Sequence, residues 1–170
     1  MATDENTMAT FLGDMVERGA RDRLGETAQP DIDGAHAALE TFYHAFNTRS
    51  LDLLRRIWAD DPLTQLDNPV GGIARGTEEI AVLYARIAAG PARVRVELWD
   101  IVRYATPALV VFAGRERGAY ERDGVSAPLD IRTTRIFHYI DGQGWRQVHH
   151  HGSIDDPERL ARYQRAVRGS

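Results

Sequence analysis

The apolar residues of this chain follow a helical repeat in its first half and alternate as in β-strands in its second half. The first predicted helix begins at Asp33, a residue suited to capping. Its apolar face recurs at helical intervals and consists of Ala35, Leu39, Phe42 and Phe46. Such a stripe indicates a helix with one buried face.

Two further helices and a run of strands follow. Apolar stripes predict one helix from Ser50 to Pro62 and another from Thr77 to Gly90, with a short extended piece between them. Beyond residue 91 the repeat becomes two residues, and Thr-Pro, Arg-Asp-Gly and Asp-Gly-Gln-Gly interrupt it. This predicts an antiparallel meander with strands at about 92–104, 108–121, 125–140 and 145–153.

The order of elements predicts an α+β fold in which three helices pack on a curved, mainly antiparallel sheet to form a cone with one deep pocket. We expect one such domain over residues 31–154. Residues 1–30 are predicted to be an N-terminal extension with a short charged helix that includes Phe11, Met15 and Val16. Residues 155–170 form a predicted helical tail with a basic face, for which we expect contact with a partner subunit.

Composition removes several kinds of chemistry. The chain has no cysteine, and all 21 of its basic residues are arginine. Thiol nucleophiles, disulfides and lysine Schiff bases are therefore excluded. The net charge of −4 argues against a nucleic-acid surface, and no apolar run reaches the length of a membrane span. The polar N-terminus lacks the pattern of a signal peptide, which predicts a cytoplasmic protein.

Three consecutive histidines end the last predicted strand. Because strand side chains alternate, His149 and His151 share one face and His150 lies on the other. The pair could bind a metal ion with Asp67 or His138 as third ligand, act as a general base beside Asp67, or have a purely structural role. Two placed imidazoles are too few for a metal site, so we predict neither a metal nor another cofactor.

Three stretches resemble a known superfamily. The first consists of Phe46-Asn47, Leu51-Asp52, Ala59-Asp60-Asp61, Pro69-Val70-Gly71, Gly76 and Ile80 to Tyr84. The second consists of Val96-Glu97-Leu98 and Val102-Arg103. The third consists of Thr134-Arg135-Ile136-Phe137-His138, Trp145, Val148, His149, His151 and Ser153. Over residues 33 to 154 they are similar to the nuclear transport factor 2-like superfamily, which includes ketosteroid isomerases, SnoaL-like cyclases, scytalone dehydratase and the association (hub) domain of calcium/calmodulin-dependent kinases.

The resemblance implies a site that differs from that of the ketosteroid isomerases. Their catalytic base falls on Asn68, with Asp67 one residue earlier, and alternation leaves Asp67 on the face opposite Asn68 unless a bulge intervenes. Their tyrosine falls on Phe42, and their second acid falls on Arg135, or on Ile136 if the turn is aligned with a gap. Steroid isomerisation by the standard residues is therefore not expected.

An arginine cluster is the other candidate for chemistry. Arg135 matches an arginine of the hub pocket, and Arg115 and Arg117 share a strand face. Guanidinium groups bind carboxylate or phosphate, so we expect an anionic or carbonyl-containing ligand, although Arg115 and Arg117 could equally lie on a solvated or dimer-forming face. Trp58 and Trp99 are predicted to supply apolar pocket wall beside Phe42.

Two functions are consistent with these residues. The first is an isomerase, cyclase or dehydratase that moves a proton next to a carbonyl group. Its candidate catalytic residues are Asp67, Asn68, Arg135, His149 and His151. The second is a non-catalytic module that binds small acids or assembles oligomers, like the hub domain. For both, the resemblance implies a homodimer that forms through the open face of the sheet.

Overall fold

The computed structural model describes residues 8–13 and 20–168. Its helices are α1 (Ile32–Thr48), α2 (Leu51–Ile57), α3 (Gly76–Ala89) and α4 (Pro157–Arg168), preceded by a 3₁₀ turn at Leu24–Ala28. Its strands are β1 (Ala9–Gly13), β2 (Gln65–Asp67), β3 (Ile73–Arg75), β4 (Arg93–Ala105), β5 (Leu109–Arg122), β6 (Val125–Ile140) and β7 (Gly144–Ser153). The predicted α+β cone is confirmed, and the four long strands lie within one residue of their predicted bounds.

All seven strands belong to one sheet in the order β1-β4-β5-β6-β7-β2-β3. Every neighbouring pair is antiparallel except β2 and β7, which run parallel. This parallel pairing sets Leu66 beside His150 and Asp67 beside His151. The short strand β2 therefore contributes alternate side chains to both faces of the sheet.

Helix α1 covers the concave face of the sheet and packs against β4, β6 and β7. Its N-cap is Asp31 rather than the predicted Asp33, because the Asp31 carboxylate accepts a hydrogen bond from the Gly34 amide. Near its other end, the Asn47 side chain both donates to and accepts from the backbone of Val96. These bonds fix the helix against β4.

Two β-bulges bend the long strands. In β4, Asp100 and Ile101 lie opposite the single residue Gly114, and Asp100 has a φ of 55°. A side chain at Gly114 would place its Cβ 2.5 Å from the Trp99 carbonyl oxygen, so the bulge requires glycine there. In β7, Val148 is the additional residue between two normally paired positions.

The ends of the chain differ from the sequence-based expectations. The predicted helix near Phe11 is wrong for residues 9–13, which form β1 at the edge of the sheet, paired with β4. Met15 and Val16, which were expected on the same helix, lie outside the described residues. At the other end, α4 forms as predicted but packs on its own chain through the buried side chains of Tyr163 and Ala166. None of the described helices is long and apolar enough to cross a membrane.

Candidate functional site

An internal cavity of about 30 Å³ lies between the helices and the concave face of the sheet. Its polar and titratable wall residues are Asn68, Tyr84, Glu116, Arg135, His150 and Tyr163. Its remaining wall is apolar and consists of Phe42, Phe46, Leu66, Pro69, Ile87, Val94, Val96 and Ile131. At this volume the closed cavity holds roughly two water molecules, so a larger ligand requires side chains of its wall to move.

A buried ion pair forms the polar end of this cavity. Arg135 and Glu116 are only 2% and 3% exposed, and Nη2 of Arg135 lies 2.6 Å from Oε1 of Glu116. The Tyr43 hydroxyl donates to the same Oε1 at 2.8 Å. Arg135 also donates from Nε to the Tyr43 oxygen at 3.1 Å and from Nη1 to Oε1 of Gln147 at 3.0 Å. The charged pair is therefore embedded in hydrogen bonds, as buried ions require.

Burial and charge fix the protonation of this group. Burial raises the pKa of the Tyr43 phenol well above its ordinary value, so the hydroxyl stays protonated and donates. Burial opposes the charge of Arg135, but the Tyr43 and Glu116 oxygens more than compensate and raise its pKa. The guanidinium also lies over the Phe42 ring, with Cζ 3.6 Å from the ring centroid. Arg135 therefore stays charged inside the fold.

His150 is the histidine that faces this cavity. It lies opposite Arg135 on the neighbouring strand, and its Nε2 is 2.8 Å from the Thr133 hydroxyl. Burial, followed by the charge of Arg135, holds its pKa well below 6.5. Its Nδ1 is buried without a hydrogen-bond partner among the described residues. His150 is therefore a neutral imidazole with one unpaired ring nitrogen.

Helix α4 closes one end of the cavity. Tyr163 contributes to the cavity wall and packs on Tyr120, with ring centroids 5.3 Å apart. Gln164 and Arg168 both donate to the Val70 carbonyl, at 3.0 and 2.8 Å. From β5, Arg122 donates to carbonyls in the last turn of α4. A few polar contacts and one large side chain thus hold α4 beside the cavity.

The structure does not bring the five sequence-predicted catalytic residues together. Asn68 and Arg135 line the cavity, whereas Asp67, His149 and His151 lie on the outer face of the sheet. There, Oδ2 of Asp67 is 3.5 Å from Nε2 of His149 and 3.4 Å from Nδ1 of His151. Among the described residues, no group of three or more histidine, aspartate or glutamate side chains is arranged to hold a metal ion.

The bulge at Val148 explains this division. Trp145 and Gln147 point into the core, and simple alternation would bring His149 and His151 to the same face. The additional residue shifts the alternation by one position, so His150 points inward instead. Asn68 also uses its side-chain oxygen locally, to accept from the Val70 amide in the turn after β2.

Of the predicted ligand-binding residues, only Phe42 lines the cavity. Trp58 is buried but borders a groove between α2 and α3. Arg115 is on the outer face, where it pairs with Asp130 at 3.2 Å. Arg117 lies on the same face, with its guanidinium carbon 6.0 Å from the centroid of the Trp99 ring. The predicted arginine cluster is thus split, and the cavity holds one arginine with its own counter-ion.

The family model of the SnoaL-like domain matches residues 35–157, which is most of the chain. The chain belongs to the SnoaL-like domain family. This match covers α2, α3, nearly all of α1 and the four long strands, and it ends at the first residue of α4. Among curated proteins, none matches the chain.

Solved structures with the same fold carry several different descriptions. A candidate dehydratase of the nuclear transport factor 2-like family from Streptomyces avermitilis is 21% identical, with a TM-score of 0.64 over 72% of this chain and 95% of that one. A ketosteroid isomerase-like protein from Erwinia carotovora atroseptica is 17% identical, with a TM-score of 0.62 and the same coverage. A candidate calcium/calmodulin-dependent kinase association domain from Thiobacillus denitrificans is 28% identical, with a TM-score of 0.57 over 71% and 94% of the two chains.

Sequence reasoning missed the acid at the centre of this SnoaL-like cavity. In the sequence Glu116 lies between Arg115 and Arg117, within a run of charged residues, and Tyr43 lies beside the apolar stripe of α1. The signal for Glu116 was present in β5, because alternation places it on one face with Phe112 and Tyr120. A carboxylate on an otherwise apolar strand face needs a buried partner. That partner, Arg135, could not be identified without the pairing of β5 with β6.

Proposed function

We propose that this SnoaL-like protein binds a small molecule in its internal cavity and moves a proton next to a carbonyl group, as an isomerase, cyclase or dehydratase does. The observation that supports this most is the arrangement of Glu116. Both hydrogen bonds to its carboxylate go to Oε1, from Tyr43 and Arg135. Neither of these bonds uses Oε2, and Glu116 lines the cavity. A held carboxylate with one unused oxygen is suited to act as a general base.

The remaining polar groups support the same chemistry. Arg135 uses Nε and one N–H from each of its two Nη atoms, which leaves two of its five N–H groups for a ligand oxygen. In this proposal Oε2 of Glu116 takes a proton from the carbon next to the carbonyl, and Arg135 stabilises the negative charge that develops on the carbonyl oxygen. The base then returns the proton to another atom of the substrate. Asn68 and His150 orient the ligand.

Exchange of carbonyl α-protons tests this step without knowledge of the natural substrate. Acetophenone in D₂O would be incubated with the protein, and loss of the methyl signal would be followed by NMR. We expect exchange to be faster with the protein than in buffer alone. Glu116→Gln should abolish this acceleration. Glu121→Gln, which removes an exposed carboxylate from the same strand, should retain it. Acetophenone that binds without catalysed exchange would contradict proton transfer.

A second candidate is a non-catalytic ligand-binding or assembly module. The 28% identical structure described as a candidate kinase association domain favours it. The outer face of the sheet carries Trp99, Arg115 and Arg117, and a homodimer through this face is part of both proposals. Sedimentation of the purified protein, together with ligand binding and no proton exchange, would support this candidate. A cytoplasmic location stays a prediction from the composition of the N-terminus.

A further inference from the structure

We propose that the protein has a second binding site, for a small carboxylate with an apolar body, between α4 and the edge of β6. This site, the α4 pocket, has a volume of about 250 Å³, and Arg159 and Arg162 of α4 form part of its wall. It is separate from the internal cavity. Tyr120 lines the α4 pocket, whereas Tyr163, whose ring packs on that of Tyr120, lines the cavity.

The α4 pocket exists because β7 ends before β6 does. The pairing of these strands begins at Arg132, which lies opposite Ser153, the last residue of β7. The part of β6 before Arg132 pairs with β5 on one side and extends past β7 on the other. Pro128 lies in this part, and its nitrogen carries no hydrogen with which a further strand could pair. The edge is therefore left to the side chains of α4 and Ile154.

The two arginines of the wall keep their N–H donors. They are three residues apart, so they lie on the same side of α4. Nε of Arg159 is 3.9 Å from Oδ2 of Asp156, which is too long for a hydrogen bond. Asp156 instead caps α4, where its Oδ1 accepts from the Arg159 amide at 2.9 Å. Among the described residues, none accepts a hydrogen bond from the side chain of Arg162.

The charges around the α4 pocket favour a ligand with one negative charge. The wall carries two guanidinium groups and the carboxylate of Asp130, which gives one net positive charge. Asp130 already pairs with Arg115, at 3.2 Å. A carboxylate offers two oxygens in one plane, which suits donation by guanidinium groups. A dianion such as phosphate would bring a second negative charge close to Asp130 and Asp156, which is unfavourable.

The rest of the wall is apolar and indicates the body of the ligand. It consists of Tyr120, Ala127, Pro128, Leu129 and Ile154. The volume lies below the range usual for drug-sized ligands, so the geometry points to a compact carboxylate with a single ring. Such a ligand contacts the arginines of α4 and the apolar side chains of β5 and β6 together. Its binding should therefore hold α4 against the sheet.

Benzoate and benzamide test this proposal, because they have nearly the same shape and differ in charge. Dissociation constants at pH 7 would be measured by calorimetry for the unmodified protein, Arg162→Ala and Arg165→Ala. Arg162 and Arg165 are both exposed residues of α4, and Arg165 lies outside the wall of the α4 pocket. The two variants thus lose the same charge, but only one loses a wall residue.

We expect the unmodified protein and Arg165→Ala to bind benzoate at least about tenfold more tightly than benzamide, because only benzoate makes charge-assisted hydrogen bonds. Arg162→Ala should bind benzoate about tenfold more weakly than Arg165→Ala does, since it has lost one of the two guanidinium donors.

Hydrogen exchange locates the bound benzoate. At a benzoate concentration about tenfold above the dissociation constant, the α4 amides of the unmodified protein should exchange about tenfold more slowly, because α4 then opens only after the ligand leaves. The same concentration should slow this exchange much less in Arg162→Ala.

Three results would overturn the proposal. The first is benzamide binding as tight as benzoate binding. The second is equal benzoate affinity of Arg162→Ala and Arg165→Ala, because the ligand would then bind elsewhere. The third is absence of benzoate binding by the unmodified protein. None of these results bears on proton transfer at Glu116, which the exchange of acetophenone protons tests separately.

Discussion

Arg135 and Glu116 form a buried ion pair across the adjacent strands β6 and β5, with 2.6 Å between Nη2 and Oε1. The pair lies where the helices and the sheet enclose the cavity, and Tyr43 from α1 hydrogen-bonds to both members. It therefore links three elements of the fold at the candidate site. The same contact bears on stability and on the proposed proton transfer.

Removal of the acid should cost considerable stability. Glu116→Ala leaves the Arg135 guanidinium buried without its counter-ion, so we expect the free energy of unfolding to fall by about 3–5 kcal/mol. Glu121→Ala removes an exposed carboxylate from the same strand and should change it by no more than about 0.5 kcal/mol. Urea denaturation followed by circular dichroism measures both. Similar values for the two variants would show that the buried pair contributes little to the fold.

The fold could be predicted because its signals are local. The stripe from Ala35 to Phe46 predicts α1, and alternation interrupted by one Thr-Pro turn and two glycine-containing turns predicts β4 to β7 within one residue at each end. The edge strand β1 was not predicted, since its five residues show no clear alternation and it forms only by pairing with β4.

The site could be predicted only in part, because it depends on bulges and on pairing between distant strands. Alternation along β2 indicates opposite faces for Asp67 and Asn68 but does not decide which of them faces the pocket, and in the structure Asn68 lines the cavity together with Arg135. The bulge at Val148 has no signature in the sequence, yet it decides that His150, not His149, points inward.

The two faces of β7 can be separated by mutation. The double variant His149→Ala/His151→Ala alters only the outer face, where both histidines contact Asp67. We expect acetophenone binding within about twofold of the unmodified protein, because distant sites act independently. The loss of stability should not exceed about 1 kcal/mol, as for other partly exposed charged contacts. Loss of proton exchange in this variant would instead support the catalytic role that the sequence suggested for Asp67, His149 and His151.

Opening of α4 should limit access to the cavity. Tyr163→Ala removes the ring that packs on Tyr120 and lines the cavity, so α4 should detach more readily. We expect hydrogen exchange of the α4 amides to accelerate roughly 30-fold or more, since loss of a buried aromatic side chain costs at least about 2 kcal/mol. Exchange in the centre of β6 should change less.

Arg165→Ala is the control for this measurement, because Arg165 is an exposed residue of α4 whose described contact is made by its backbone carbonyl. In this variant the α4 amides should exchange with solvent at nearly the same rate as in the unmodified protein. Acetophenone should also associate faster with Tyr163→Ala than with Arg165→Ala. Equal association rates in the two variants would show that ligands enter by another route.

Stability should fall as the pH is lowered through the range where free histidine titrates, and His150 should be one cause. Its pKa is well below 6.5 in the folded protein, whereas an unfolded histidine has a pKa near 6.5. Between these values the unfolded chain binds a proton that the folded protein does not, so acid favours unfolding. For one such residue the loss is about 2 kcal/mol between pH 7.5 and pH 5.

A second histidine should act in the same direction. Burial, followed by the nearby charge of Arg103, lowers the pKa of His36 to about 4. Urea denaturation at pH 7.5 and pH 5 would therefore be compared for the unmodified protein, His150→Gln and His138→Gln, the last of which replaces an exposed histidine. Between the two pH values, we expect the free energy of unfolding of His150→Gln to fall by about 2 kcal/mol less than that of the unmodified protein. For His138→Gln we expect the same fall as for the unmodified protein. An identical loss in all three proteins would mean that His150 does not stay neutral inside the fold.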